Sequence, residues 1–410
     1  MRVTLLISVI VLVGLMVSPA QAVSVFAREG FGEWLEGYDL RGETLGGTGI
    51  GLADPNNFTG PNPASTAFSP HTLGHTGVIS VTSWADDGSA TARWQLPMIT
   101  ELGVYVPLPA GIGVRLILEP ATDASYALER DVPTGWEEIE EDIRREEGSR
   151  GPVRVRAGFS WQGGSWWALG TGINVVSGSI VDRTRYVFGD SASAAGWQGG
   201  SDRRELRFHA CTAIDLGFLA RPTERLSLGA FYSTSHSSSV TETYRSVGGT
   251  DWTIGEVDVD LPAGFGVGVG LGLTPRWRLS ADALYRLWED VQIGGADSPR
   301  AQIGPFRNTL RWGAGIERLG SENRNAPFLS RVVWRAGFAQ IPWYLEDATG
   351  DAIEEWRVSL GAGLPIQKDR GMFDLMVAYG QRGSLETNGL EEEYLRLGFA
   401  FTFAHVLREY

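Results

Sequence analysis

Cysteine is nearly missing from this chain: 410 residues contain one, Cys211. A disulfide framework and a multi-cysteine metal site are therefore excluded. Lysine is nearly missing too. Lys368 is the only one, and arginine supplies every other basic side chain. Basic residues number 35 against 49 acidic, for a formal net charge of −14, which excludes the basic stripe that nucleic-acid binding needs. Beyond the N-terminus no uninterrupted apolar run reaches the roughly 18 residues of a membrane helix. What the chain does have is glycine, with 54 residues, about twice the usual share, and 15 tryptophans. Aromatics at 10% argue against disorder. Length alone fits two or three soluble domains or one large barrel.

The N-terminus reads as a secretory signal peptide. Met1-Arg2 precedes an apolar run from Val3 to Val17, and Ser18-Pro19-Ala20-Gln21-Ala22 is a small-residue cleavage site, so residues 1–22 are expected to be removed. An exported chain without a helical anchor is periplasmic, secreted or an outer-membrane β-barrel.

Hydrophobicity then alternates with a period of two. Leu206, Phe208, Ala210, Thr212, Ile214 and Leu216 share one face, and Arg207, His209, Cys211, Ala213 and Asp215 the other. The pattern recurs at Val153–Trp161 opposite Arg154 and Arg156, and at Trp277–Leu287 opposite Arg278, Ser280 and Asp282. It returns at Leu395–Phe403 opposite Arg396. Alternation over nine to eleven residues is long for a sandwich strand. It fits a lipid-facing wall around a polar lumen, because the inward charges would be ruinous in a dry core. Arg154, Arg156, Arg207, His209, Arg278 and Asp282 are accordingly lumen-lining candidates. Trp84, Trp94, Trp161, Trp166, Trp167, Trp288, Trp343, Tyr344 and Trp356 suggest interfacial girdles.

About fourteen strands can be counted. Short links such as 108–110 and 222–224 alternate with long polar ones at 121–151, 188–200, 239–255, 290–305, 342–352 and 383–390, the outer-membrane arrangement. The fold expected is an all-β, antiparallel transmembrane barrel over residues 77–404. An N-terminal hatch over 23–76 plugs it, and residues 405–410 form a short periplasmic tail. The block Trp136–Glu147, with Trp136, Ile139 and Ile143 at helical spacing, predicts a short helix at the outer mouth.

Residues 23–76 do not alternate. Within them Gly37-Tyr38-Asp39-Leu40-Arg41-Gly42-Glu43-Thr44-Leu45-Gly46-Gly47-Thr48-Gly49-Ile50-Gly51-Leu52-Ala53-Asp54, followed by Asn62-Pro63-Ala64, resembles the hatch of the FadL/TodX-type family of outer-membrane transporters. Downstream, Asp260-Leu261-Pro262 with Gly264, Gly266 and Gly268, the stretch Thr274–Asp282, Leu287-Trp288 and the segment from Arg331 through Gly361-Ala362-Gly363-Leu364-Pro365 to Arg396 resemble the same family. The resemblance implies passive transport of hydrophobic small molecules, such as long-chain fatty acids or hydrocarbons, with Asn62, Pro63 and Ala64 gating the pocket. It implies no cofactor and no catalysis. Outer-membrane lipid and the barrel-assembly machinery are the partners expected of such a barrel, and a monomer the expected state. A family-like barrel with a scaffold or secretion-partner role is the alternative. The acidic balance does not steer carboxylates.

Little else carries chemistry. His71 and His75 could share a helical face as metal ligands, but Pro70, Gly74 and Gly77 argue against a helix. His209 and Cys211, on one predicted face, stand about 7 Å apart, too far for a nucleophile–base pair.

Overall fold

The computed structural model describes residues 23–55, 58, 60–131, 142–149, 151–188, 200–246, 252–291, 305–321, 323, 325–366 and 371–405. The predicted signal peptide, Trp136–Glu141 and Tyr410 lie outside them. The chain closes into an antiparallel barrel of 14 strands. They are β1 (Thr72–Asp86), β2 (Thr91–Pro107), β3 (Ile112–Pro120, continued by Ala127–Asp131) and β4 (Asp142–Gly148 and Val153–Gln162). There follow β5 (Trp167–Phe188), β6 (Gly200–Thr223), β7 (Leu226–Ser233 and His236–Arg245) and β8 (Trp252–Leu261 and Gly264–Gly272). The remainder are β9 (Trp277–Arg286), β10 (Thr309–Arg318), β11 (Val333–Gln340), β12 (Glu355–Ile366), β13 (Gly371–Ser384) and β14 (Leu390–His405). β14 closes on β1, with Thr72 opposite His405 and Val78 opposite Phe399. The wall thus starts at Thr72, a few residues before the expected boundary.

Alternation places the side chains as expected through most of the wall. Phe159, Trp161, Ile173, Ile214, Leu216, Val267, Leu360 and Leu397 are exposed, forming the apolar outer face. Arg154, Arg156, Asp282, Arg335, Arg382 and Arg396 are buried on the inner face. β6 departs from this rule. Phe208 pairs with Gly178 and Cys211 with Val176, so His209 and Ala210 stand opposite Ser177 alone. Ala210 adopts φ 53°. This β-bulge reverses the parity above it. Leu206 and Phe208 turn inward and are buried, whereas Arg207 and His209 are exposed on the outer surface. The expectation that these two line the lumen is therefore incorrect, and His209 and Cys211 lie on opposite faces.

Two further expectations change. Asp142–Gly148 is strand, not the end of a helix: Ile143 to Glu147 pair with Val187 to Arg183 of β5. The helical spacing of isoleucines was coincidental with a strand extension above the membrane. Likewise 239–255 is no long loop, because β7 and β8 continue as a hairpin with Val240 opposite Val257.

Trp84, Trp161 and Trp166 are exposed, but Trp94, Trp288, Trp343 and Tyr344 are buried. The latter join Phe26, Phe31, Phe208 and Leu345 in one apolar cluster under the outer loops. Trp288 stacks on Tyr344 with ring centroids 4.0 Å apart, and Trp34 meets Trp288 edge-on at 5.3 Å. This cluster closes the outer end of the lumen.

Candidate functional site: the N-terminal segment against the inner wall

Residues 23–71 pack against the inward face of the wall. Among the described residues their α-helix, α1 (Leu40–Thr44), begins where the Asp39 side chain accepts the Gly42 amide at 2.7 Å, the usual N-cap. A two-residue strand, Glu33–Trp34, pairs with Thr122–Asp123 beyond β3. The segment is acidic, carrying Glu29, Glu33, Glu36, Asp39, Glu43 and Asp54 against Arg28 and Arg41. The wall interior answers with arginines. Arg396 and Arg382 reach Glu33 at 2.6 and 3.2 Å, and Arg286 reaches Glu36 at 2.5 Å. Arg357 pairs with Glu43, joined by Arg311 at 3.6 Å, and Arg278 pairs with Asp54 at 3.1 Å. In the reverse sense Arg41 donates two hydrogen bonds to Glu317, at 3.0 and 2.8 Å. Glu317 also takes Arg335 at 2.8 Å. Burial pulls the Glu33 carboxyl up, but Arg396 and Arg382 outweigh it and hold the pKa at about 2. Asp39 lacks such a partner. Burial pushes its pKa up to about 7, against the pull of His75.

Asn62, Pro63 and Ala64 sit where the wall is stripped to glycine. The Asn62 amide nitrogen donates to the Ile50 carbonyl at 2.8 Å and to Phe218 of β6 at 3.0 Å. Its side-chain oxygen accepts the Ala64 amide at 2.9 Å. Arg115 of β3 donates to the Pro61 and Asn62 carbonyls at 3.1 and 3.0 Å. A Cβ on Gly170 would strike Pro63 and Ala64, and one on Gly217 would strike Asn62. These two wall positions are glycine because the motif presses directly on their backbone.

The other sequence candidates have definite places. Arg154 donates to Leu35 O at 2.8 Å and Glu119 at 3.2 Å and lies over the Trp34 ring at 4.9 Å. Arg156 bridges Glu119 at 2.7 Å and Glu36 O at 3.0 Å. Asp282 accepts the amides of Gly49 and Ile50 at 2.6 and 2.7 Å, so it anchors the N-terminal segment. His75, within β1, contacts Glu101 at 2.5 Å and Thr402 at 2.8 Å, so it makes no helical pair with His71. Among the described residues no cluster could hold a metal ion. Sequence reasoning missed Glu317, Arg335, Arg357, Arg382 and Arg286. Their inward parity was available as a signal, but their partners were not.

The spaces left are unequal. Between the N-terminal segment and the wall a cavity of about 90 Å³, lined by Trp34, Tyr38, Ile79 and Arg311 among others, is too small for a hydrophobic ligand. At the outer mouth a cleft of about 850 Å³ has Val25, Phe26, Trp94, Trp343, Leu345 and Ile353 in its lining, with Arg28, Glu29, Arg93, Glu129 and Asp347 alongside.

A 14-strand, apolar-faced barrel whose lumen holds an N-terminal segment bearing Asn-Pro-Ala has the fold of the FadL/TodX outer-membrane barrels. Solved structures with this fold include a Pseudomonas aeruginosa FadL homologue (TM-score 0.58, 16% identity, 90% of this chain and 99% of that one covered). The Pseudomonas putida toluene transporter TodX is similar at TM-score 0.56 and 17% identity, covering 92% and 99%. The Ralstonia pickettii toluene transporter TbuX follows at 0.56 and 15%, covering 90% and 99%. The chain belongs to the BamG family, whose model matches residues 1–406. No curated protein matches it.

Proposed function

We propose that this outer-membrane barrel captures hydrophobic small molecules at its outer mouth and passes them inward by displacement of the N-terminal hatch. The observation that carries the reading is the mouth cleft. Its volume, about 850 Å³, lies within the range of small-molecule sites, and Phe26, Trp94, Trp343, Leu345 and Ile353 give it an apolar floor beside a charged rim. The fold supports it, since TodX and TbuX are titled toluene transporters. In this reading the structure is the closed state, and Asn62, Pro63 and Ala64 are the latch that holds the hatch on β5 and β6. The barrel's own groups bind and gate, without bond-making chemistry.

The test is uptake of labelled oleate and of toluene by cells lacking their own hydrophobic-molecule barrels. Expression should raise uptake severalfold, and Trp343→Ala should lower it. Uptake no higher than in control cells would refute transport.

A second reading has an observation of its own. The lumen is packed and cross-linked by buried ion pairs, and the family name, BamG, hints at the barrel-assembly machinery. Both suit a closed barrel serving as a scaffold for a partner in the outer membrane. Affinity capture from crosslinked outer membranes discriminates: stoichiometric recovery of the assembly machinery, with no uptake, would select the scaffold.

A further inference from the structure

The geometry points to a headgroup site for an anionic phospholipid of the periplasmic leaflet, at the foot of β9, β10 and β11. The outward apolar faces of these three strands end there at one level. On β10 the outward positions Leu310, Trp312, Ala314 and Ile316 give way to Arg318. Register sets Arg318 directly opposite Trp277 of β9 and directly opposite Trp334 of β11. Both tryptophans are exposed, so the row Trp277, Arg318, Trp334 spans about 10 Å across three neighbouring strands. Tryptophan at the end of an apolar face marks a membrane–water boundary, and the short links on this side make it the periplasmic one.

The cations of this rim lack anions from the chain. The turn between β6 and β7 carries Arg221 and Arg225, the turn between β8 and β9 carries Arg276, and the link between β10 and β11 carries Arg318 and Arg331. Backbone hydrogen bonds hold them in an arc. The Gly272 amide donates to Arg225 O, the Leu319 amide to Arg276 O and the Ser321 amide to Ser330 O, each at 2.7 Å. Among the described residues of these links Glu224 is the one carboxylate, and none of the five arginines makes an ion pair there. Arg331 Nε is buried without a hydrogen-bond partner. By contrast Arg278, one step further inside, is paired with Asp54 at 3.1 Å. Five arginines against one carboxylate leave a surplus of four positive charges, on a chain whose net charge is −14.

The neighbouring apolar groups favour a lipid over an acidic protein. The helical turn α2 (Phe328–Arg331) leaves Phe328 and Leu329 55% and 66% exposed, and exposed Leu273 donates its amide to Trp277 O at 2.9 Å. Exposed apolar side chains beside arginine cost least at the membrane boundary, where the apolar groups enter hydrocarbon and the guanidinium stays with the headgroups. Arg318 points out of the wall on the lipid side, so its counter-ion must come from the leaflet itself. Arginine's planar fork suits phosphate. A zwitterionic headgroup brings its own cation and would cancel little of the surplus, so a net anionic one is the better match. Its acyl chains would run up over Ile316, Leu279 and Leu271, all exposed.

The test is native mass spectrometry of the detergent-purified barrel with added phosphatidylglycerol and, in parallel, phosphatidylcholine of the same chains. The barrel should retain phosphatidylglycerol the more strongly. Each arginine removed should cost about fivefold, so that R276Q/R318Q holds phosphatidylglycerol roughly 25-fold more weakly. R207Q, whose arginine is paired with Glu205 at the far end of the wall, should match the parent. Folding of each variant is checked by its heat-dependent shift on a gel, and R318Q alone, with its fivefold loss, serves if the double variant fails to fold. Equal retention of the two lipids, or undiminished retention of phosphatidylglycerol by folded R276Q/R318Q or R318Q, would overturn the proposal. Displacement of phosphatidylglycerol by an equal charge of polyglutamate would overturn it as well, by making the rim a surface for an acidic protein.

Discussion

Glu317→Ala should release the N-terminal segment without unfolding the barrel. Glu317 is almost fully buried and accepts two hydrogen bonds from Arg41 and one from Arg335. Removing one partner of a buried ion pair costs about 3–5 kcal/mol, because the other charge is left uncompensated. Here both arginines keep a second anion. Arg41 retains Asp54 at 3.2 Å and Arg335 retains Asp374, which lowers the expected cost to about 2–3 kcal/mol. At 1.4 kcal/mol per tenfold change, opening of the segment becomes roughly 30- to 150-fold more frequent. The fourteen-strand ladder does not pass through this contact, so the penalty falls on local opening and not on the wall. Hydrogen exchange of the Glu43, Leu45, Gly49 and Ile50 amides reads it, because all four are hydrogen-bonded within the segment or to Asp282. Exchange at those amides should accelerate by that factor while β10 and β11 amides hold theirs. Unchanged exchange would mean that Glu317 is merely a solvated lumen charge, and the ionic account of hatch retention would be wrong.

Acid should loosen the same segment through Glu33. Its pKa is lowered from an ordinary 4.5 to about 2, so its contribution is full above pH 4.5 and is lost as pH falls towards 2. That amounts to about 3 kcal/mol at 1.36 per unit, and exchange of residues 23–36 followed between pH 5 and 2 should lose this dependence in Glu33→Gln. Asp39 has the opposite sign. With its pKa raised to about 7, it opposes folding increasingly from about pH 4 up to 7, and Asp39→Asn, which keeps a good N-cap, should flatten that slope in the exchange of α1. Asn62→Ala leaves the buried Ile50 carbonyl without its donor and removes the bond to Phe218 O, at about 1–3 kcal/mol. Protease sensitivity around residue 62 should rise, and equal resistance would deny the latch. Deleting Ala210 removes the bulge and should turn Arg207 and His209 inward; a folded variant in which Arg207→Cys labels from the outside as fast as in the parent would contradict the parity argument.

The wall was legible in the sequence because a membrane barrel imposes its rule at every residue. Lipid outside and water inside force a strict period of two, so Arg154, Arg156, Asp282 and Arg396 could be assigned to the lumen from position alone. One inserted residue defeats that rule. Nothing in Leu206–Leu216 marks Ala210 as the extra residue, since Ala is ordinary in a strand and the run alternates on paper with or without the bulge. The error at Arg207 and His209 therefore follows from counting, not from chemistry. The buried tryptophans misled for a different reason: Trp288 and Trp343 occur at strand ends, as girdle residues do, but their side chains join the apolar cluster over the lumen.

Partners were illegible because they are non-local. Glu33 meets Arg396 across 363 residues, and only closure of β14 on β1 brings the two together. Yet the charge distribution held the principle of the site. The acidic N-terminal segment and the arginine-lined interior neutralise one another in a space too small for solvent to do so, and removing charges from water is tolerable only when they are paired. Arginine, which donates in several directions at once, lets a single wall position bind both a carboxylate and a backbone carbonyl of the segment, as Arg156 does with Glu119 and Glu36 O. Lysine could not fill that role equally well, which gives a physical reason for its near absence. The net acidity of the chain is then no guide to what it binds, because much of the charge inside the barrel is already paired, and on the outer face above Ala210 Arg203 and Arg207 are paired with Glu205 and Arg145 with Glu129 in the same way.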